Sequence, residues 1–155
     1  MKKSIVLVLL ALLAVVGWCS VPPAEKDGLT HQDELSRIRI YAYREWQSTG
    51  VRVHTGDIVS IRAQGTWSYT PDEYHGPEGH RRYSAPSFYP VPGIPGGALI
   101  GRIGTDGTLF YAGRSARWRA LDDGQVYLRI DDDILSDNDG FVDITVTVVP
   151  AEESP

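Results

Sequence analysis

Residues 46–69 read "WQSTGVRVHTGDIVSIRAQGTWSY", and their pattern decides the fold class. Val51 and Val53 alternate with Arg52. Gly56 and Asp57 mark a turn. Ile58, Val59, Ile61 and Ala63 then form a strand expected to end at Gly65. A period of two, broken by glycine-containing turns, describes half-buried antiparallel strands. The pattern recurs on both sides. Ile38 and Ile40 alternate with Arg39 and Tyr41. Residues 98–103, 108–111 and 125–130 read as further strands. In "FVDITVTVV" (141–149), Val142, Ile144, Val146 and Val148 share one face, and Asp143, Thr145 and Thr147 the other. No amphipathic helix of ordinary length follows residue 36. About eight short strands at regular spacing imply an all-β sandwich or barrel. Trp67 and Trp118 lie in strand-like runs and are assigned to the core; Trp46 is left open between packing and a ligand platform.

The chain has 155 residues, enough for one domain. It opens with Lys2 and Lys3 and an apolar run from Ile5 to Val16, the pattern of a secretory signal. The run is shorter than the roughly 20 residues of a spanning helix. Cys19, the single cysteine, stands in "VGWC" (16–19), which resembles a bacterial lipobox apart from the bulky Trp18. The expected organisation is a signal peptide over 1–19, of lipoprotein or plainly cleaved type, a tether over 20–36, the β domain over 37–150 and a tail over 151–155. Thr30 and Asp33 have the spacing of a capping box, so a short helical turn is expected there. The product would be exported, either held in a bacterial envelope through lipidated Cys19 or released to the periplasm or medium. Either way the domain has no disulfide. Removing residues 1–19 takes away Lys2 and Lys3 and no acid. That leaves 13 basic against 20 acidic residues, a formal charge of −7. This opposes nucleic acid as a partner and suits a cation or a neutral ligand.

Two segments carry the chemistry. Residues 70–97 hold Pro71, Pro77, Pro86, Pro90, Pro92 and Pro95, a density no helix or central strand survives. A loop of this length is functional or mobile, and this one offers Tyr74, His75, His80, Arg81, Arg82 and Tyr83, with Tyr69 just before it. His75 and His80 share the loop, although paired surface histidines are commonly inert. The second segment is "IDDDILSDNDG" (130–140). It is either a solvated acidic turn or an oxygen-rich cation site. Asp132, Asp137 and Asn138 offer side-chain oxygens of the kind calcium takes. The EF-hand pattern is missing, as are H-E-x-x-H, C-x-x-C, P-loop and G-x-S-x-G motifs. Glycoside hydrolysis needs a separated carboxylate pair, and these acids crowd one turn.

Four stretches, in order, resemble the PA-IL-like galactophilic lectin family of calcium-dependent bacterial lectins. They are "TGDIVSIRAQGTWSYTP" (55–71), "HGPEGH" (75–80), "GALIGRIGTDGT" (97–108) with "ARWRA" (116–120), and "LRIDDDILSDNDGF" (128–141). The resemblance implies a jelly-roll-like β-sandwich of two antiparallel sheets and a Ca2+ ion that itself coordinates two sugar hydroxyls, without catalysis. Position by position, it implies Asp132, Asp137 and Asn138 as side-chain ligands, with Asp137 in place of an asparagine. Tyr69 would offer its carbonyl, and a second carbonyl would come from 134–136, taken as Leu135. Asp132 and Asp133 would contact sugar. Tyr83 stands where the family has a histidine touching the sugar's hydroxymethyl group, and His75 is a further candidate contact. The expected function is calcium-dependent carbohydrate binding. The alternative is a non-catalytic envelope module of the same fold that recognises a protein or another glycan.

Overall fold

The computed structural model describes residues 36–70 and 72–151. The expected leader with Cys19, the expected helical turn near Thr30, most of the expected tether and residues 152–155 lie outside them. Nine strands follow one another: β1 (Ser36–Tyr41), β2 (Gln47–Val53), β3 (Ile58–Thr70), β4 (Glu73–His75), β5 (Leu99–Ile103), β6 (Phe110–Tyr111), β7 (Ser115–Arg119), β8 (Gly124–Ile130) and β9 (Asp139–Val149). Among the described residues there is no helix.

Two antiparallel sheets form a sandwich. One runs β1-β9-β3-β4, with β7 also paired to β3; the other runs β2-β8-β5-β6. The β3–β9 register holds the first sheet together, from Ile58 opposite Val149 to Ser68 opposite Asp139. It places Val59 across from Val148, Ile61 from Val146 and Ala63 from Ile144, all buried. A slip of one residue would turn every one of these outward, so hydrophobic burial fixes the register. Val51, Val53, Leu99, Ile103, Val126, Leu128 and Ile130 of the second sheet complete the core. Each such side chain contributes about 1.5–3 kcal/mol of transfer free energy on burial.

Three strand expectations change. The strand expected to stop at Gly65 runs on to Thr70. Gly65 has φ +114°, and a Cβ there would lie 3.1 Å from the Phe141 carbonyl oxygen. It marks a close approach of two backbones inside a continuing strand. The strand expected over 108–111 shrinks to Phe110 and Tyr111. The proline-rich segment, read as a long loop without a helix or central strand, holds the short edge strand β4 in the interval between Pro71 and Pro77. Trp67 is fully buried, as expected. Trp118 sits half-buried at the core margin, with its ring 4.4 Å from that of Phe110.

The rest of the proline-rich segment is folded back on itself. His80 N–H donates to Gly96 O (2.8 Å), Gly96 N–H to Tyr83 O (2.9 Å) and Ala85 N–H to Ile94 O (2.7 Å). It is tied to the core as well. Trp67 Nε1 donates to Gly97 O at 2.8 Å, and Gly97 N–H donates to Asp131 O at 2.9 Å. The loop therefore lies against the acidic turn that follows β8.

Candidate functional site

The acidic turn begins where β8 ends. Arg129 braces it from behind: Nε donates to Ile130 O (2.9 Å), Nη2 to Asp132 O (2.6 Å) and Nη1 to Glu45 Oε2 (2.6 Å). With its carbonyls held by a rigid guanidinium fork, the turn presents its side chains in fixed directions. Asp131 is fully buried. Its Oδ1 accepts the Val91 N–H at 2.9 Å. Burial pushes its carboxyl up to about 6, opposed by that N–H and by Arg129.

Asp132 is 3% exposed. Its Oδ2 accepts from Asn138 Nδ2 at 2.9 Å, and its Oδ1 accepts the Asp133 N–H at 2.9 Å. The Tyr89 hydroxyl lies near enough to interact with this carboxylate. Burial raises the carboxyl, and the interactions with Asn138 and Tyr89 pull the other way. Burial and the same interaction push the Tyr89 hydroxyl far upward. Asn138 is buried too. Its Nδ2 donates to both Asp132 and Ala42 O (3.3 Å). That sets the amide orientation, because both neighbours are acceptors. The remaining Asn138 Oδ1 is buried and has no hydrogen-bond partner among the described residues, and the same is true of Asp131 Oδ2. A buried acceptor without a donor costs about 1–3 kcal/mol.

The other expected ligands are placed as follows. Asp137 and Asp133 are exposed on the turn. Leu135 packs its side chain on the core, and its carbonyl accepts a loose 3.4 Å bond from Asn138 N–H. Tyr69 lies beyond the last β3–β9 pair and in the irregularity between Ser68 and Thr70 of the β3–β4 pairing, so its backbone stands outside both registers. Its ring is buried. Burial, then the neighbouring Tyr83, Asp132 and Glu73, push its hydroxyl up to about 12.

Beside the turn lies a cleft of about 300 Å³ lined by Tyr69, Thr70, Glu73, His80, Tyr83 and Tyr89. The Tyr89 hydroxyl joins this cleft to Asp132. Tyr83, expected as a sugar contact, is on its wall and 42% exposed. His75, also expected there, lines a neighbouring depression with Tyr74, Glu78 and His80. Tyr89, Asp131 and Arg129 were not anticipated. Tyr89 sits in "SFYP" (87–90), and an aromatic held before a proline was its only signal.

These features define a β-sandwich with a buried Asp–Asn pair at the edge of an aromatic cleft. The family model described as PA-IL-like protein matches residues 39–149, and the chain belongs to that family. Among solved structures, it is similar to "EclA N-terminal domain; PllA-like lectin", with 22% identity and a TM-score of 0.56. That match covers 73% of this chain and 95% of the other, and it shows the shared fold. No curated protein matches the chain.

Proposed function

We propose that the protein binds carbohydrate through a Ca2+ ion held at the acidic turn, and performs no catalysis. The buried, unpartnered Asn138 Oδ1 beside the Asp132 carboxylate is the observation that carries this reading. Calcium takes oxygens from carboxylates, amide side chains and backbone carbonyls. Asp132 and Asn138 supply the first two kinds, exposed Asp137 adds a second carboxylate, and the carbonyls of Tyr69 and Leu135 are assigned to complete the set. The donors are all hard oxygens, so the residues fit the ion. Family membership and the name of the similar lectin support carbohydrate as the ligand. When bound, the ion would offer a hard cation on which vicinal sugar hydroxyls replace water.

This chain's residues would do the remaining work. Asp132 would accept hydrogen bonds from those hydroxyls, and charge-assisted bonds are the stronger kind. The rings of Tyr83 and Tyr89 form a wall for a sugar face. Asp133 would make its contact through the backbone. His75 is the weakest member of the expected set, because it lies in the neighbouring depression.

Calorimetric titration tests the reading, first with calcium and then with galactose at saturating calcium. Calcium binding that Asp132→Ala abolishes is the expected result, and unchanged affinity in that variant would sink the site assignment. Galactose binding would establish the sugar class. Calcium binding without galactose would direct the search to other glycans or a protein partner, in keeping with Tyr83 where the family has histidine.

A further inference from the structure

The β3–β4 hairpin and the turn after it bring together three metal-ligating side chains, none of them on the acidic turn. Glu73 and His75 are two apart on β4, so their side chains project to the same face of the sheet. His75 Nε2 lies 3.3 Å from Glu73 Oε2. Gly79, with φ +80°, folds the chain back through a Gly79 N–H bond to Gly76 O (2.9 Å). His80 is thereby laid over His75, their rings stacked at 4.3 Å and 28°. One donor atom from each of Glu73, His75 and His80 falls within 4.8 Å of the others.

Three details separate this cluster from a chance ion pair. First, ligands about 2.0–2.1 Å from a tetrahedral zinc lie about 3.3–3.4 Å from one another, which is the Glu73–His75 separation. That distance is long for a hydrogen bond between charged groups. Second, His80 Nδ1 is 3.1 Å from the buried Tyr69 hydroxyl. In the tautomer whose Nδ1–H donates to this oxygen, Nε2 is left for a ligand and Nδ1 has the outer partner that metal-binding histidines ordinarily have. Third, Glu78 in the same loop is held at 2.7 and 2.9 Å by Arg114, so it does not compete for the place. The Glu73 side chain is 60% exposed and that of His75 17%. The nitrogen side of the cluster is thus sheltered and the carboxylate side open, leaving a fourth position to water.

We propose that Glu73, His75 and His80 form a second metal site, for a borderline transition-metal dication of the zinc class. Two imidazoles and one carboxylate suit zinc, nickel or copper, whereas calcium prefers an all-oxygen set. The two sites are therefore selective by donor chemistry. The zinc-class site does not depend on the calcium reading. His80 also lines the aromatic cleft, so an ion here would form part of its wall.

The test is a zinc titration of the full chain, without added histidines, against a chromophoric chelator in millimolar calcium. One zinc per chain is expected. His75→Ala and His80→Ala should each weaken binding tenfold or more, and Tyr69→Phe, which keeps the buried ring, by about tenfold. Asp132→Ala should leave it unchanged. X-ray absorption of the zinc-loaded wild-type chain should report two imidazoles, a readout that needs no variant to fold. Failure to bind below millimolar zinc, full retention in both histidine variants, an all-oxygen shell, or loss of binding in calcium or in Asp132→Ala would each overturn the proposal. The last would place the ion at the acidic turn.

Discussion

Trp67 joins the core to the site. Its ring is buried between the sheets, and its Nε1 holds the Gly97 carbonyl, whose own N–H holds Asp131 O. Trp67→Phe would leave that carbonyl unsatisfied and a void beside it. We expect a cost of about 2–4 kcal/mol, read from urea unfolding. At this scale the sequence was partly legible. Asp132 and Asn138 could be picked out because oxygen side chains clustered on one short turn are a local signal. Tyr89 could not, because only the folding of the proline-rich loop brings its hydroxyl to Asp132. Glu73 escaped notice for the same reason. Its meeting with His80 depends on the turn at Gly79.

The elements were read well where burial imposed a period and poorly where geometry alone decided. β3 was expected to end at Gly65 because glycine weakens strands. It continues because Gly65 lets β3 pass close to Phe141 and Val142 of β9. Gly65→Ala would combine a positive φ with that contact, so a loss of about 1–3 kcal/mol is expected by denaturant titration. The turn between β2 and β3 is fastened differently. The exposed Asp123 carboxylate accepts from the Thr55 N–H (2.6 Å) and the Thr55 hydroxyl (2.9 Å). These bonds, the backbone one foremost, hold its carboxyl below the ordinary 3.8. A depressed acid contributes stability that is present above its unfolded value and lost as pH falls through the folded one. Asp123→Asn should therefore be modestly less stable near neutrality, with the deficit closing as pH drops below 3.8. A deficit that persisted unchanged in acid would argue against this ionic origin.

For the molecule as a whole, calcium should behave as a ligand of the folded state alone. Asn138 meets both Asp132 and the Ala42 carbonyl only when the turn after β8, the start of β9 and the end of β1 are assembled. At calcium about a hundred times its Kd, mass action stabilises the native state by about 2.7 kcal/mol. A rise of several degrees in melting temperature should follow in scanning calorimetry. A flat response up to millimolar calcium would count against the acidic turn as a site.

The sequence pattern by itself determined an all-β sandwich or barrel, because alternating apolar side chains are buried by sheets that pack or close on their apolar faces, and the family resemblance chose the sandwich. It determined the negative charge of the domain, and it placed an oxygen-rich turn between two strands. The tertiary structure alone decided which oxygens of that turn are buried without partners, which aromatics close on it, and that a carboxylate and two imidazoles share one corner. Those outcomes depend on a loop whose prolines and glycines carry no periodic signal. Its path is set by hydrogen bonds to distant strands, which no local pattern encodes.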